Sequence, residues 1–273
     1  MASTVLITGA STGIGKETAK YFQARGWNVA ATMRSPEKES ELTALDNVLV
    51  TRLDVTDSAS IADAVNATIE EFGQIDALVN NAGYGAYGPL EAFDMDGIRR
   101  QFDTNVIGLL EVTKAVLPHM RAQKSGTVVN ISSIGGKMTF PLGTLYHGTK
   151  FAVEGLSEAL HYELETLGIK MKIVEPGMIE TDFGGRSFDF RNDEALEEYQ
   201  PVVQRLMAGF AAAAQSGGAS KPVVVADVIY TAVTDGTSTL RYTAGDDAAV
   251  YMANRKAQDD EEFIGALKAS FLG

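Results

Sequence analysis

The sequence predicts an α/β protein built on a doubly wound parallel sheet of about seven strands, with helices on both faces. Three observations predict it. Short β-branched apolar runs alternate along the chain with longer stretches of helical periodicity. The opening run, Thr4 to Thr8 (Thr-Val-Leu-Ile-Thr), has no polar alternation, as suits a parallel strand buried on both faces. That run leads through a glycine-rich turn, Gly9-Ala10-Ser11-Thr12-Gly13-Ile14-Gly15, straight into a helical pattern. Strand-helix alternation with right-handed crossovers winds such a sheet in both directions.

The elements follow in order. After the turn, Lys16 to Arg25 reads as the first helix. Further strand signals lie at Trp27 to Met33, Val48 to Leu53, Ile75 to Val79, Gly126 to Ile131, Lys170 to Val174 and Leu240 to Thr243. Helical stretches lie between them at Ser58 to Phe72, Met95 to Met120, Leu145 to Leu167 and Glu194 to Ala214. The patch Ala211 to Ala214 ends a helix, and Ser216-Gly217-Gly218-Ala219-Ser220 reads as a flexible turn, too short for a domain linker. The acidic run Asp259-Asp260-Glu261-Glu262 reads as a helix start, where acids favour the dipole. One domain spanning 1–273 is expected.

Composition removes several classes of function. With 273 residues and 45% apolar content the chain can bury one sizeable core. A net charge of −13 disfavours a nucleic-acid binder, which would present a basic face. There is no cysteine, so there are no disulfides and no thiol chemistry. His119, His147 and His161 lack metal-ligand spacing and read as ordinary helix residues, so no metal is expected. No window reaches 18 uninterrupted apolar residues, so no membrane span is expected. The N-terminus runs into the first strand without a basic leader, and a cytoplasmic location is the expectation.

The chemistry-bearing pattern is Tyr146-His147-Gly148-Thr149-Lys150, with Ser133 thirteen residues upstream of the tyrosine. Residues four apart on a helix share a face. An ammonium beside a phenol favours the phenolate, so Lys150 is expected to lower the Tyr146 pKa from about 10 toward neutrality. A serine at the end of a neighbouring strand would hydrogen-bond a substrate oxygen. Such a trio moves a proton on and off a carbonyl or alcohol. The strand, glycine turn and helix at the N-terminus form half of a nucleotide-binding unit, because glycines admit a pyrophosphate to a helix N-terminus.

These motifs resemble the short-chain dehydrogenase/reductase family, of the single-domain, Rossmann-like type. Thr8 to Gly15, with its Gly-x-x-x-Gly-x-Gly spacing, matches the family's glycine motif, and Asn80-Asn81-Ala82-Gly83 matches its Asn-Asn-Ala-Gly element. Asn105, Ser133, Tyr146 and Lys150 match the catalytic set, and Glu175-Pro176-Gly177 followed by Thr181 matches the cofactor-clamping segment. The match is dense to about residue 182. The Ala31-Thr32-Met33-Arg34 segment and the long tail resemble the hydroxysteroid- and retinol-dehydrogenase-like carbonyl reductases.

The resemblance implies a nicotinamide cofactor held by Gly9, Ser11, Thr12, Gly13, Ile14, Asn81, Ala82, Gly83, Tyr146, Lys150, Pro176, Gly177, Ile179 and Thr181. At the end of the second strand the segment Ala31 to Ser35 holds Arg34 and no carboxylate; a bidentate phosphate donor there suits NADP(H) over NAD(H), with Thr12 adding a hydroxyl. The alternative for Arg34 is a solvated loop residue. By resemblance Asp54 contacts the adenine amino group and Val55 flanks the ring; the alternative for Asp54, which the family position disfavours, is a cap for the helix at Ser58. The resemblance further implies that Tyr146 gives the proton, Ser133 holds the reacting oxygen, Lys150 bonds the nicotinamide ribose, and Asn105 holds a water linking the lysine to solvent. Ser132 is adjacent to Ser133, and family spacing selects Ser133.

The substrate pocket is expected beyond the carboxyl ends of the strands. Tyr84, Tyr87, Ile134, Met138, Phe140 and Met178 belong to that region, with a lid segment at about 183–222 holding Phe183, Phe188, Phe190, Tyr199, Leu206, Met207 and Phe210. An apolar, aromatic lining suits a hydrophobic ketone, aldehyde or secondary alcohol. The same side chains equally suit packing of the lid onto the body. Small residues on the Tyr146 helix (Ala152, Gly155, Ser157, Ala159) and the family's habit of pairing there make a homodimer or homotetramer the expectation. A non-catalytic NADP-binding sensor is the competing reading; such proteins lose the tyrosine or lysine, and this chain keeps both. Enoyl reductases space the pair farther apart, and sugar epimerases use a different glycine spacing.

Overall fold

The computed structural model describes residues 2–181, 187–216 and 218–272. Strand β1 (Thr4–Ile7) is buried throughout. Val5 and Ile7 point into one core cluster and Leu6 into the other, the period of two expected of a strand covered on both sides. Six more strands flank it: β2 (Asn28–Met33), β3 (Val48–Arg52), β4 (Ala77–Asn80), β6 (Gly126–Ile131), β7 (Ile169–Pro176) and β9 (Arg241–Ala244). They pair in the order β3-β2-β1-β4-β6-β7-β9, every pair parallel. This is the doubly wound Rossmann-like sheet that the sequence predicts.

Helices α1 (Gly13–Gln23) and α7 (Pro222–Thr234) cover one face through Ala19, Phe22, Val225 and Ile229. On the other lie α2 (Ser58–Phe72), α4 (Gly108–Gln123) and α5 (Thr144–Glu165), through Ile61, Val65, Val112, Val116, Met120 and Leu164. α2 has the bounds its periodicity gives. Asp57 caps it by accepting from the Ala59 and Ser60 amides, and Gly73 ends it at φ +84°. Asp54 is therefore not its cap.

Three expectations need correction. The stretch Met95 to Met120 is not one regular helix: α3 (Met95–Phe102) passes through a π-helical turn, Asp103–Ile107, before α4. The stretch from Glu194 becomes a 3-10 turn, Glu197–Tyr199, and then α6 (Gln200–Ser216). Pro201 is its second residue, a first-turn position where proline's fixed φ and missing amide suit a helix start. The first helix starts at Gly13, inside the glycine turn, rather than at Lys16. Beyond residue 220 the sequence reading did not foresee α7 and α8 (Asp246–Ala257), whereas α9 (Asp260–Leu272) starts on the acidic run as expected.

A second, two-stranded sheet was not foreseen. β5 (Gly85–Tyr87), following β4, pairs in parallel with β8 (Phe188–Phe190), following β7. It ties the start of the segment expected to be a lid across the carboxyl ends of the main sheet. Of that segment, 182–186 and 217, and with them Phe183, lie outside the described residues, as does the side chain of Phe210.

Candidate active site

The strand order reverses between β1 and β4, and their carboxyl ends diverge there into a crevice, the place where ligands bind in open α/β sheets. A cleft of about 1430 Å³ opens at this point. Thr8 and Asn81 staple its floor. Thr8 Oγ1 accepts from the Asn81 and Ala82 amides at 3.0 Å each, and Asn81 Nδ2 donates to the Thr8 and Gly9 carbonyls at 2.9 and 3.1 Å.

The glycine loop fits a dinucleotide. Gly9 stands at φ +69°, and a Cβ there would lie 2.9 Å from Ala82 Cα. At Gly15 a Cβ would meet the Gly9 carbonyl oxygen at 2.4 Å. Side chains are thus shut out where α1 approaches the loop, and its N-terminal turn, free of acidic residues, opens on the cleft through Thr12, Gly13 and Ile14. Every residue expected to hold the cofactor lines this cleft: Gly9, Ser11, Thr12, Gly13, Ile14, Arg34, Asp54, Val55, Asn81, Ala82, Gly83, Tyr146, Lys150, Pro176, Gly177, Ile179 and Thr181. Arg34 is exposed and makes no ion pair with any described residue. The nearby cation Lys16 is already held by Glu39 and Glu41, at 3.2 and 2.9 Å. Asp54 Oδ1 accepts from the Thr56 amide and hydroxyl.

At the other end of the cleft, Ser133, Tyr146 and Lys150 come together. Ser133 caps a 3-10 turn, Ile134–Gly136, accepting from the Gly135 amide at 3.0 Å, and its hydroxyl hydrogen-bonds the Tyr146 phenol. Lys150 Nζ donates to the Ile131 carbonyl at 2.8 Å and lies 5.8 Å from the centre of the Tyr146 ring. The structure corrects the expected electrostatics. Burial pushes the Tyr146 phenol up to about 12, outweighing the Ser133 bond, and pulls the Lys150 ammonium down to about 8 against the favourable charge of Glu154. The phenol therefore keeps its proton at neutral pH.

Asn105 stands behind this trio, in the π-helical turn. Its Oδ1 accepts from the Tyr84 amide at 3.1 Å, and its Nδ2 donates to the Tyr84 carbonyl and to Thr149 Oγ1 at 2.9 and 3.1 Å. Thr149 in turn donates to the Tyr146 carbonyl, so the amide fixes the β5 approach against α5. A π-bulge aims one side chain off the regular helical face, a common device at functional sites.

His147 is more than an ordinary helix residue. It is buried, with Nδ1 2.9 Å from the Gly135 carbonyl and Nε2 accepting from the Phe140 amide at 3.0 Å. That pairing requires a neutral ring with its proton on Nδ1, and burial lowers its pKa from 6.5 to about 4. Stability should fall as pH drops from 6.5 toward 4, because only the unfolded chain binds the proton there; the full shift is worth about 3 kcal/mol. Thermal melts across that range should show a shallower acid loss in His147→Gln than in the parent. Parallel curves would sink this account.

Tyr84, Tyr87, Ile134, Phe140, Met178, Phe188 and Met207 line the cleft as expected. Met138 and Leu206 are instead buried in packing, and Tyr199 is turned to Glu91. Phe190 is half-buried in β8 and stacks on Phe188. The sequence reading missed Arg100, Asp189 and Arg191 at the mouth, and Tyr251 and Phe271 from α8 and α9, which meet the Phe140 ring edge-on with centroids 5.6 and 5.7 Å away. Aromatics in the amphipathic tail were the signal available.

Known proteins fit this geometry. The model of the short-chain dehydrogenase family matches residues 3–192. The chain belongs to this family. An uncharacterised oxidoreductase of Schizosaccharomyces pombe is 45% identical over 237 residues, 85% of this chain and 96% of its own. The 3-ketodihydrosphingosine reductase of Bacteroides thetaiotaomicron is 43% identical over 179 residues, 66% of this chain and 65% of its own. Retinol dehydrogenase 8 of Bos taurus is 38% identical over 192 residues, 67% of this chain and 61% of its own. Among solved structures, a short-chain dehydrogenase from Streptomyces avermitilis superposes with a TM-score of 0.83 at 33% identity, covering 98% of this chain and 97% of that one. ElxO with NADP bound superposes at 0.74 and 29%, covering 94% and 100%. A 3-ketoacyl-(acyl-carrier-protein) reductase from Brucella melitensis complexed with NADH does so at 0.73 and 25%, covering 88% and 96%. Among the described residues, no helix of this short-chain dehydrogenase is long and apolar enough to cross a membrane.

Proposed function

We propose that this short-chain dehydrogenase is an NADP(H)-dependent oxidoreductase that interconverts a hydrophobic ketone or aldehyde with its alcohol, Tyr146 serving as general acid/base. The observation that carries the reading is the convergence of Ser133, Tyr146 and Lys150 at one end of a cleft whose other end is the glycine loop and Arg34. The bound nicotinamide cofactor supplies or accepts the hydride. The chain's own residues do the rest. Gly9, Ser11, Thr12, Gly13 and Ile14 receive the pyrophosphate at the α1 N-terminus, and Arg34 pairs with the 2′-phosphate. Asp54 and Val55 take the adenine. Asn81, Ala82 and Gly83 form the floor, and Pro176, Gly177, Ile179 and Thr181 close over the nicotinamide end. Ser133 holds the carbonyl oxygen, and the Tyr146 phenol, protonated at neutral pH, gives it a proton. Lys150 offers its ammonium to the ribose, and Asn105 fixes the strand that frames the pocket.

A hydrophobic substrate is supported by Tyr87, Phe140, Phe188, Tyr251 and Phe271 around the reacting end, and by the 3-ketodihydrosphingosine and retinol named for two relatives, both of which carry long hydrocarbon chains. The test follows NADPH absorbance, with NADH in parallel, over a panel of hydrophobic ketones and aldehydes. Turnover that vanishes in Tyr146→Phe supports the reading. Tight NADPH binding with no turnover on any carbonyl would favour a non-catalytic sensor.

The two serines give a second check. Ser132 and Ser133 both border the cleft, but it is the Ser133 hydroxyl that bonds the Tyr146 phenol. Ser133→Ala should cost about 10²-fold or more in kcat, and Ser132→Ala only a few-fold. Equal losses would undo the assignment.

A further inference from the structure

The segment Pro176 to Thr181 leaves the carboxyl end of β7 and borders the cleft along its whole length. Its far end meets the glycine loop, where a Cβ at Gly13 would lie 3.2 Å from the Thr181 methyl carbon. Met178, in the middle, is 43% exposed, so its own side chain does not anchor it. Backbone groups do. The Gly177 amide donates to the Ala244 carbonyl of β9 at 3.0 Å. The Ser220 amide donates to the Met178 carbonyl at 2.9 Å, and the Glu180 amide to the Ser220 carbonyl at 2.9 Å. The Met178 amide finds a side chain instead. It donates to Asp247 Oδ2, in the first turn of α8, at 2.7 Å.

Two glycines make room for this acid. A Cβ at Gly177 would fall 2.4 Å from both Asp247 carboxylate oxygens, and one at Gly245 would fall 2.9 Å from Oδ1. Among the described residues Asp247 makes no ion pair, and its Oδ1 is buried with no donor. A carboxylate oxygen buried in this way opposes folding. Acids in the first turn favour the dipole of α8, but exposed Asp246 serves that end without any burial. The helix that carries Asp247 is firmly seated. Its Ala248 and Tyr251 pack with Ile134, Met138 and Phe140, on the turn that follows Ser133.

We propose that Asp247 is a positioning residue that sets the Pro176 to Thr181 segment over the nicotinamide end of the bound cofactor, acting through the Met178 amide. The inference rests on the reading of that segment as the part of the site that closes over the nicotinamide. The adenine end, received by the glycine loop, Arg34, Asp54 and Val55, does not depend on this bond.

The test compares, by calorimetry, the affinity for NADPH with that for adenosine 2′,5′-bisphosphate, which lacks the nicotinamide half. Asp247→Ala should weaken NADPH about ten-fold and leave the bisphosphate within about two-fold. Asp247→Asn keeps an oxygen for the Met178 amide and should hold NADPH within about three-fold. Asp246→Ala, an acid lost from the same helical turn, should leave both ligands within about two-fold. The same comparison with NADH and ADP makes the result independent of Arg34. An equal loss for both ligands in Asp247→Ala would mark a purely structural acid and overturn the proposal. So would unchanged NADPH affinity, or an Asp247→Asn variant as weak as Asp247→Ala. If Asp247→Ala fails to fold, Asp247→Ser takes its place: serine suits a helix start but holds its oxygen one bond short. Should neither fold, the acid is structural and the proposal fails. A loss confined to NADPH in a chain that reduces no carbonyl would support the role of Asp247 and overturn the proposed reaction instead.

Discussion

Tyr146→Phe is expected to lower kcat/KM for carbonyl reduction by about 10²–10⁴-fold while leaving NADPH affinity within about two-fold. The phenylalanine ring fills the same space. Tyr146 is 8% exposed, packed 5.5 Å from both the Tyr87 and the His147 rings, and only the hydroxyl against Ser133 is lost. One hydrogen bond is worth about 1 kcal/mol of stability, so the fold should survive. The rate loss has a different origin. Without the phenol no placed side-chain acid meets the developing alkoxide, and Ser133 alone offers a hydrogen bond but no proton of suitable acidity. Single-turnover measurement with pre-bound NADPH, beside a fluorescence titration of the cofactor, separates the two effects. Turnover within about ten-fold of the parent would remove Tyr146 from its role.

Arg34→Asp is expected to turn cofactor preference by about 100-fold or more, from NADPH toward NADH. A charge-assisted hydrogen bond to a phosphate is worth about 1.5–3 kcal/mol, roughly ten- to one-hundred-fold in affinity, and the new carboxylate adds repulsion toward the 2′-phosphate and an acceptor for a ribose hydroxyl. The substitution is otherwise quiet, because Arg34 is exposed and pairs with no described carboxylate. The ratio of kcat/KM for the two cofactors is the quantity to measure. An unchanged ratio would return Arg34 to the solvated surface and leave the cofactor preference without a determinant.

Much of this was legible in the chain because it depends on short-range pattern. The uninterrupted Thr4 to Thr8 run and its successors specify parallel strands, since a strand covered on both faces needs no polar alternation. The glycine loop was legible because only glycine permits the backbone approach seen at Gly9 and Gly15. Tyr146 and Lys150 were legible as a pair because four residues is one helical turn. The π-turn at Asp103–Ile107 was not, since nothing in periodicity separates it from a regular helix; it exists because Asn105 bonds Tyr84 and Thr149 from two other elements. The β5–β8 ladder joins residues about one hundred positions apart, beyond any local signal.

Residue type and spacing alone specify the sheet, the family, the glycine loop and the placing of Tyr146 and Lys150 one helical turn apart. How that pair is poised depends on the packing around it. Spacing predicts a lysine that lowers the tyrosine pKa, yet burial in the cleft floor raises the phenol to about 12 and draws the ammonium down to about 8. The packing also decides which charges stand nearby: Glu154 shares its helix with Lys150, but Arg241 reaches it from a strand far along the chain. Desolvation and Coulomb interaction depend on distance and burial in three dimensions, and neither is written in the order of residues.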